Sequence, residues 1–123
     1  MRLLLDTHVL LWWLGNDPSL TEEHRKFIQD KRNSCYVSAA SVWEISINSA
    51  IGKLEITPEY LEVLRSQGFL ELPISWTHAQ AVRQLPQHHR DPFDRLLVAQ
   101  AATEGMALLS VDPIVKKYEV TVL

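Results

Sequence analysis

What most constrains this chain is its alternation of short apolar runs with stretches of helical periodicity. The runs fall at residues 2–5, 34–38, 69–74, 106–110 and 119–123, the third weakened by Pro73, which cannot donate to a ladder. Between them lie helical stretches at 7–14, 21–32, 39–51, 57–67, 75–85 and 92–104, and a short one through Lys116, Lys117 and Tyr118. Strands separated by helices are joined by crossovers rather than hairpins. The order therefore predicts an α/β fold, a three-layer α/β/α sandwich with a central, mostly parallel sheet.

At 123 residues the chain is expected to form one domain, 1–123, with a sizeable core. No run of about 18 apolar residues offers a membrane span. Asp6 interrupts the first apolar run too early for a signal peptide. The lone Cys35 reads as a small core residue in a reducing compartment, which points to the cytoplasm. A net charge of −3 argues against broad, charge-driven nucleic-acid binding but leaves room for a local basic rim. Gly15, Gly52, Gly68 and Gly105 are too scattered for a phosphate-cradling loop.

The stretch from His88 to Ala102 carries the most chemistry. Asp91 before Pro92 is a helix start, and Gly105 closes the same helix. Asp94 heads an inward stripe of Leu97, Val98, Ala101 and Ala102, so its carboxylate is expected at the edge of the core. Such a group needs a partner. Asp6 follows the first strand and Asp112 the fourth, where open α/β sheets place their ligands. Glu44 borders the inward stripe read for the third helix, namely Ala40, Trp43, Ile47, Ala50, Ile51 and Leu54. With right-handed crossovers, these four acids share one edge of the sheet. No Lys or Arg occupies the adjoining inward positions, so the cluster calls for a hard cation, Mg²⁺ or Mn²⁺.

Other residues receive plainer readings. Thr57 and Pro58 cap and open the fourth helix, and Ser75 caps the fifth. His24, His78 and Arg83 are expected on wet faces, and His88 and His89 in an exposed loop. Arg90 and Arg95 are candidates for phosphate contact, because a guanidinium fork matches phosphate oxygens. Trp12, Trp13, Tyr60, Leu61 and Leu64 are candidates for an exposed apolar surface.

Taken in order, Leu5-Asp6-Thr7-His8, Ser41-Val42-Trp43-Glu44-Ile45, His89-Arg90-Asp91-Pro92-Phe93-Asp94-Arg95 and Ser110-Val111-Asp112 resemble the PIN-domain family, and most closely its VapC-type toxin branch. The resemblance spans essentially the whole chain. It implies a Mg²⁺- or Mn²⁺-dependent endoribonuclease, commonly a homodimer, paired with a VapB-type antitoxin. The family's catalytic and metal-binding acids map to Asp6, Glu44, Asp94 and Asp112, with Thr7 and Ser110 as supporting polar positions. Asp91 remains a helix cap. RNA as substrate comes from the resemblance alone. A non-catalytic interaction module and a metal-dependent DNA nuclease of similar topology stay open on the residues themselves.

Overall fold

The computed structural model describes residues 1–123. Four strands form one sheet: β1 (Arg2–Leu5), β2 (Ser34–Ser38), β3 (Leu70–Leu72) and β4 (Ala107–Leu109). Their order is β3-β2-β1-β4, and every pairing is parallel. The expected fifth strand is reduced to a single bridge between Leu108 and Val122. Helices α1 (Thr7–Leu14) and α2 (Glu22–Gln29) follow β1, and α3 (Ala39–Ala50) and α4 (Tyr60–Ser66) follow β2. Helices α5 (Trp76–Ala81) and α6 (Pro92–Glu104) follow β3. None is long and apolar enough to cross a membrane.

Strand side chains alternate between the two faces of the sheet. Leu3, Leu5, Cys35, Val37, Ala107 and Leu109 pack against α1, α3 and α4 through Val9, Leu10, Ile45, Tyr60 and Leu64. Leu4 and Leu108 turn the other way and pack on Leu97, Val98 and Ala101 of α6, with Val115 and Tyr118 closing that layer. The three-layer α/β/α sandwich follows directly.

Several local expectations change. Helix α3 is rotated from the expected face: Ala40, Ser41 and Ile45 are buried, while Trp43, Ile47 and Ile51 are exposed. Ala102 likewise lies outside, although Leu97, Val98 and Ala101 do face in. Tyr60 and Leu64 are core residues, so they are not free for a surface; Leu61, Trp12 and Trp13 are half-buried. Thr57 and Pro58 form a turn before α4, whose N-cap is Glu59. His24 is buried, its Nε2 2.8 Å from the Leu123 carbonyl oxygen. His78 is buried as the third residue of a capping box with Ser75, and its Nε2 meets Glu104 at 3.0 Å. Arg83 is exposed as expected.

Candidate metal-binding acidic site

The strand order reverses its direction of growth beside β1. β2 lies on one flank and β4, reached by the crossover through α6, on the other. Such a switch point opens a crevice at the carboxyl ends of the two strands. Leu5 pairs with Leu109, so the next residues, Asp6 and Ser110, emerge side by side. Asp6 N–H donates to the Leu109 carbonyl at 3.1 Å, which holds the two strand ends together.

Asp6 is both a helix cap and a site residue. Its Oδ1 accepts from Val9 N–H at 2.8 Å, capping α1, and its side chain is buried. That burial pushes its carboxyl above the ordinary range, against the downward pull of hydrogen bonds from Ser110 and Val9. Thr7, also buried, donates through its hydroxyl to Ser41 Oγ at 3.1 Å and so ties α1 to α3.

Asp94 stands in the first turn of α6. Asp91 caps that helix by accepting from Phe93 N–H at 2.8 Å, Pro92 opens it, and Gly105 ends it at φ 65°. Asp91 therefore serves as the expected cap. Burial pushes the Asp94 carboxyl up to about 6, and the neighbouring charges of Asp91, Glu44 and Asp112 push in the same direction. Glu44 is half-buried on α3, and its Oε1 is buried with no hydrogen-bond partner. Asp112 is better supplied: Oδ1 accepts from Ile114 N–H at 2.9 Å, and Oδ2 lies 2.8 Å from His89 Nε2. Burial raises this carboxyl, but the bonds from His89 and Ile114 outweigh it, and the net shift is downward. Ser110 Oγ accepts from Asp112 N–H at 3.1 Å, which shapes the loop after β4.

None of the four acids forms an ion pair with Lys or Arg. One ligand atom from each of His89, Asp94 and Asp112 lies within 4.8 Å of the others. An orphaned buried carboxylate oxygen and a concentration of oxygen donors fit a hard divalent cation. Of the four expected acids the structure brings Asp94 and Asp112 together with His89; Asp6 and Glu44 lie outside that group, though Asp6 feels the charge of Asp112 and Asp94 that of Glu44.

Two sequence expectations fail here, for physical reasons. Arg95 cannot reach a phosphate. It is buried, and its guanidinium donates to the carbonyls of Pro86 at 2.8 Å, Val82 at 3.0 Å and Leu85 at 3.4 Å. It therefore ties the segment before α6 to the helix itself. His89 is not an exposed loop residue: it is buried between Asp112 and Tyr118. His88 and Arg90 are exposed, and Arg90 lines a cleft with Glu44, Asn48 and Phe93.

A buried polar link also passed unnoticed in the sequence. Ser38 Oγ accepts from Ala40 N–H at 3.0 Å at the start of α3 and donates to Gln100 Oε1 of α6 at 2.5 Å. It fixes the helix bearing Glu44 against the helix bearing Asp94.

A family model described as "PIN domain" matches residues 3–120. The chain belongs to the PIN domain family. Its residues are 59% identical to ribonuclease VapC16 of Mycobacterium tuberculosis over 32 residues, which is 26% of this chain and only 23% of that protein. This PIN domain superposes on a chain of VapBC2 from Rickettsia felis, solved bound to a promoter DNA fragment, with a TM-score of 0.75. Identity is 14%, and the match covers 100% of this chain and 98% of that one. A chain of FitAcB from Neisseria gonorrhoeae superposes with a TM-score of 0.63 at 19% identity, over 98% and 96% of the two chains. The structural likenesses establish the fold.

Proposed function

We propose that this PIN domain is a Mg²⁺- or Mn²⁺-dependent endoribonuclease, acting in the cytoplasm as the toxin of a VapBC-type pair. The observation that carries the proposal is an acid cluster at the switch point that no Lys or Arg neutralises, with Glu44 Oε1 buried and unpartnered. The short, close identity to a named ribonuclease supports the choice of RNA. Asp6, Glu44, Asp94 and Asp112 hold the cation, and Thr7 and Ser110 support its pocket. When bound, a divalent cation acidifies an attacking water and stabilises charge on the phosphate and the leaving oxygen. The chain's own groups do the rest. Asp6 and Asp112 are fixed by backbone N–H groups, and Asp94 by the first turn of α6. Arg90, exposed on the rim, is positioned to draw the RNA backbone toward the acids.

A VapB-type antitoxin is the proposed partner, with a homodimer as the resting assembly. A groove walled by Val42, Leu61, Arg65 and Leu70, with the core residues Val37, Leu64 and Phe69 beneath it, offers the apolar seat for an antitoxin segment. Solved relatives of the same fold are VapBC assemblies, which supports the pairing.

The test is cleavage of matched single-stranded RNA and DNA by purified protein, in excess Mn²⁺ or Mg²⁺ and in chelator. RNA is expected to be cut only with metal, and Asp94→Asn and Asp6→Asn are expected to lose cleavage by orders of magnitude while folded. Full activity in chelator, or preferential cutting of DNA, would refute the proposal.

A further inference from the structure

His89 is a buried imidazole that the mechanism above does not use. Its backbone N–H donates to Tyr118 Oη at 3.0 Å, and its Nδ1 lies 3.1 Å from the same hydroxyl. The two rings stack at 3° with centroids 5.5 Å apart, and Tyr118 itself is buried in the α6 layer beside Val115. Asp112 Oδ2 can only accept, so the hydrogen of its contact with the ring sits on Nε2, which leaves Nδ1 to accept from the Tyr118 hydroxyl. Nε2 faces Asp112 Oδ2 at 2.8 Å, the distance of a charge-assisted hydrogen bond. Asp112 Oδ1 is meanwhile pinned by Ile114 N–H. Both carboxylate oxygens are thus fixed from outside the acid cluster, and the carboxylate cannot rotate away from it.

We propose that Tyr118 and His89 form a positioning relay that orients Asp112 for the divalent cation, with His89 serving as a donor and not as a ligand. The proposal rests on the metal-site reading given above. A ligating Nε2 needs a lone pair. That would set the lone pair against Asp112 Oδ2 and force the Tyr118 hydroxyl to turn away from Nδ1. The observed contacts are all satisfied without either change.

The test measures Mn²⁺ affinity by calorimetry on the full chain without RNA, together with the imidazole ¹H–¹⁵N spectrum of the metal-free protein. His89→Asn keeps an amide near the Tyr118 hydroxyl but falls short of Asp112. His89→Gln extends an amide N–H toward Asp112. The Asn variant is expected to bind Mn²⁺ about 10-fold or more weakly, the usual loss when a partner of a metal ligand is removed. The Gln variant is expected to recover most of that loss. The wild-type spectrum should show the Nε2-protonated tautomer, and Tyr118→Phe should weaken that preference. Equal losses in Asn and Gln would make the imidazole itself a ligand and overturn the proposal. An unchanged affinity in Asn, or an Nδ1-protonated ring, would overturn it too. If His89→Asn does not fold, the tautomer spectrum, His89→Gln and Tyr118→Phe still decide. Asp94→Asn runs beside these variants. Should it bind Mn²⁺ as tightly as wild type, the metal-site reading fails and takes the relay's purpose with it. Should it bind weakly while Asn matches wild type, the relay alone fails.

Discussion

Asp94→Asn in the metal-free protein separates a functional carboxylate from a structural one. The folded state raises this carboxyl from an ordinary 3.8 to about 6, first by burial and then by repulsion from Asp91, Glu44 and Asp112. Because the folded value lies above the unfolded one, the favourable contribution is complete below pH 3.8. It is lost as pH rises from there through about 6. A difference of roughly two pH units corresponds to about 3 kcal/mol, each unit being worth about 1.4 kcal/mol. The group is half-buried and water reaches part of it, so a discounted cost of about 1–2 kcal/mol at pH 8 is the working figure. Asparagine carries no charge and removes that cost. For a chain of this size the melting temperature is then expected to rise by about 3–8 °C at pH 8 in chelator. The gap should shrink towards pH 4, where wild-type Asp94 is itself largely protonated in the folded state. Saturating Mn²⁺ should reverse the order, since about 100-fold excess over Kd adds about 2.7 kcal/mol to wild type and less to the variant. The assay is a thermal melt of both proteins at pH 4, 6 and 8, in chelator and in metal. A variant less stable than wild type at pH 8 in chelator, with a gap that persists at pH 4, would show that Asp94 supports the fold and would defeat the reasoning.

Four further outcomes can be read on the same instrument or beside it. Asp91→Ala should lower stability by about 1 kcal/mol through loss of the α6 cap. Arg95→Ala should cost about 1–3 kcal/mol by removing a buried guanidinium and its bonds to three carbonyls, and Arg95→Lys should fail to restore it because an ammonium lacks the fork. Cleavage per folded molecule should be unchanged, whereas Arg90→Ala should weaken RNA binding in a salt-dependent manner without moving the melt. Cys35 is buried and its thiol is pushed up to about 11, so a thiol reagent at pH 8 should modify it only after denaturant is added.

The fold was legible where the physics is local and periodic. Arg2–Leu5 reads as a strand because four residues suffice to define a buried run, and Asp6 stops it with a charge. Asp91-Pro92 and Gly105 mark α6 because a cap, a fixed φ and a left-handed turn each demand a narrow set of residues. The α3 face was misread because Trp43, Ile47 and Ile51 outweigh Ala40, Ser41 and Ile45 in hydrophobicity. The sheet accepts small residues at that contact: Ala40 and Ser41 let α3 approach, and Ser41 is satisfied by Thr7. Periodicity locates an apolar stripe, but the space available at the contact decides whether that stripe is the buried one. The fifth strand failed for a different reason. Its alternation is real, yet only Val122 reaches a bridge with Leu108, since Tyr118 and the turn before it hold the chain to the α6 layer.

The acids proposed for the site follow from sequence for a reason that does not extend to their neighbours. A carboxylate at a strand end, or in the first turn of a core-facing helix, has few neutral explanations. Three acids, Asp6, Asp94 and Asp112, are so placed and are expected on one sheet edge once crossovers are right-handed; Glu44 lies further along α3. The neighbours are ordinary residues whose meaning depends on a distant partner. His89 looks like a loop histidine until Tyr118, 29 positions later, covers its ring and Asp112, 23 positions later, meets its Nε2. Arg95 looks like a phosphate ligand until three carbonyls at Val82, Leu85 and Pro86 turn out to surround it. In both cases the polar group is satisfied by chain outside its own local segment, which helical or strand spacing does not encode. For Glu44, which sequence places beside the α3 stripe, the structure adds a specific reason. Half-buried on α3, it has a buried Oε1 that nothing in the chain satisfies, whereas Asp6 and Asp112 each accept from a backbone N–H, so Glu44 is the acid whose burial calls for a ligand.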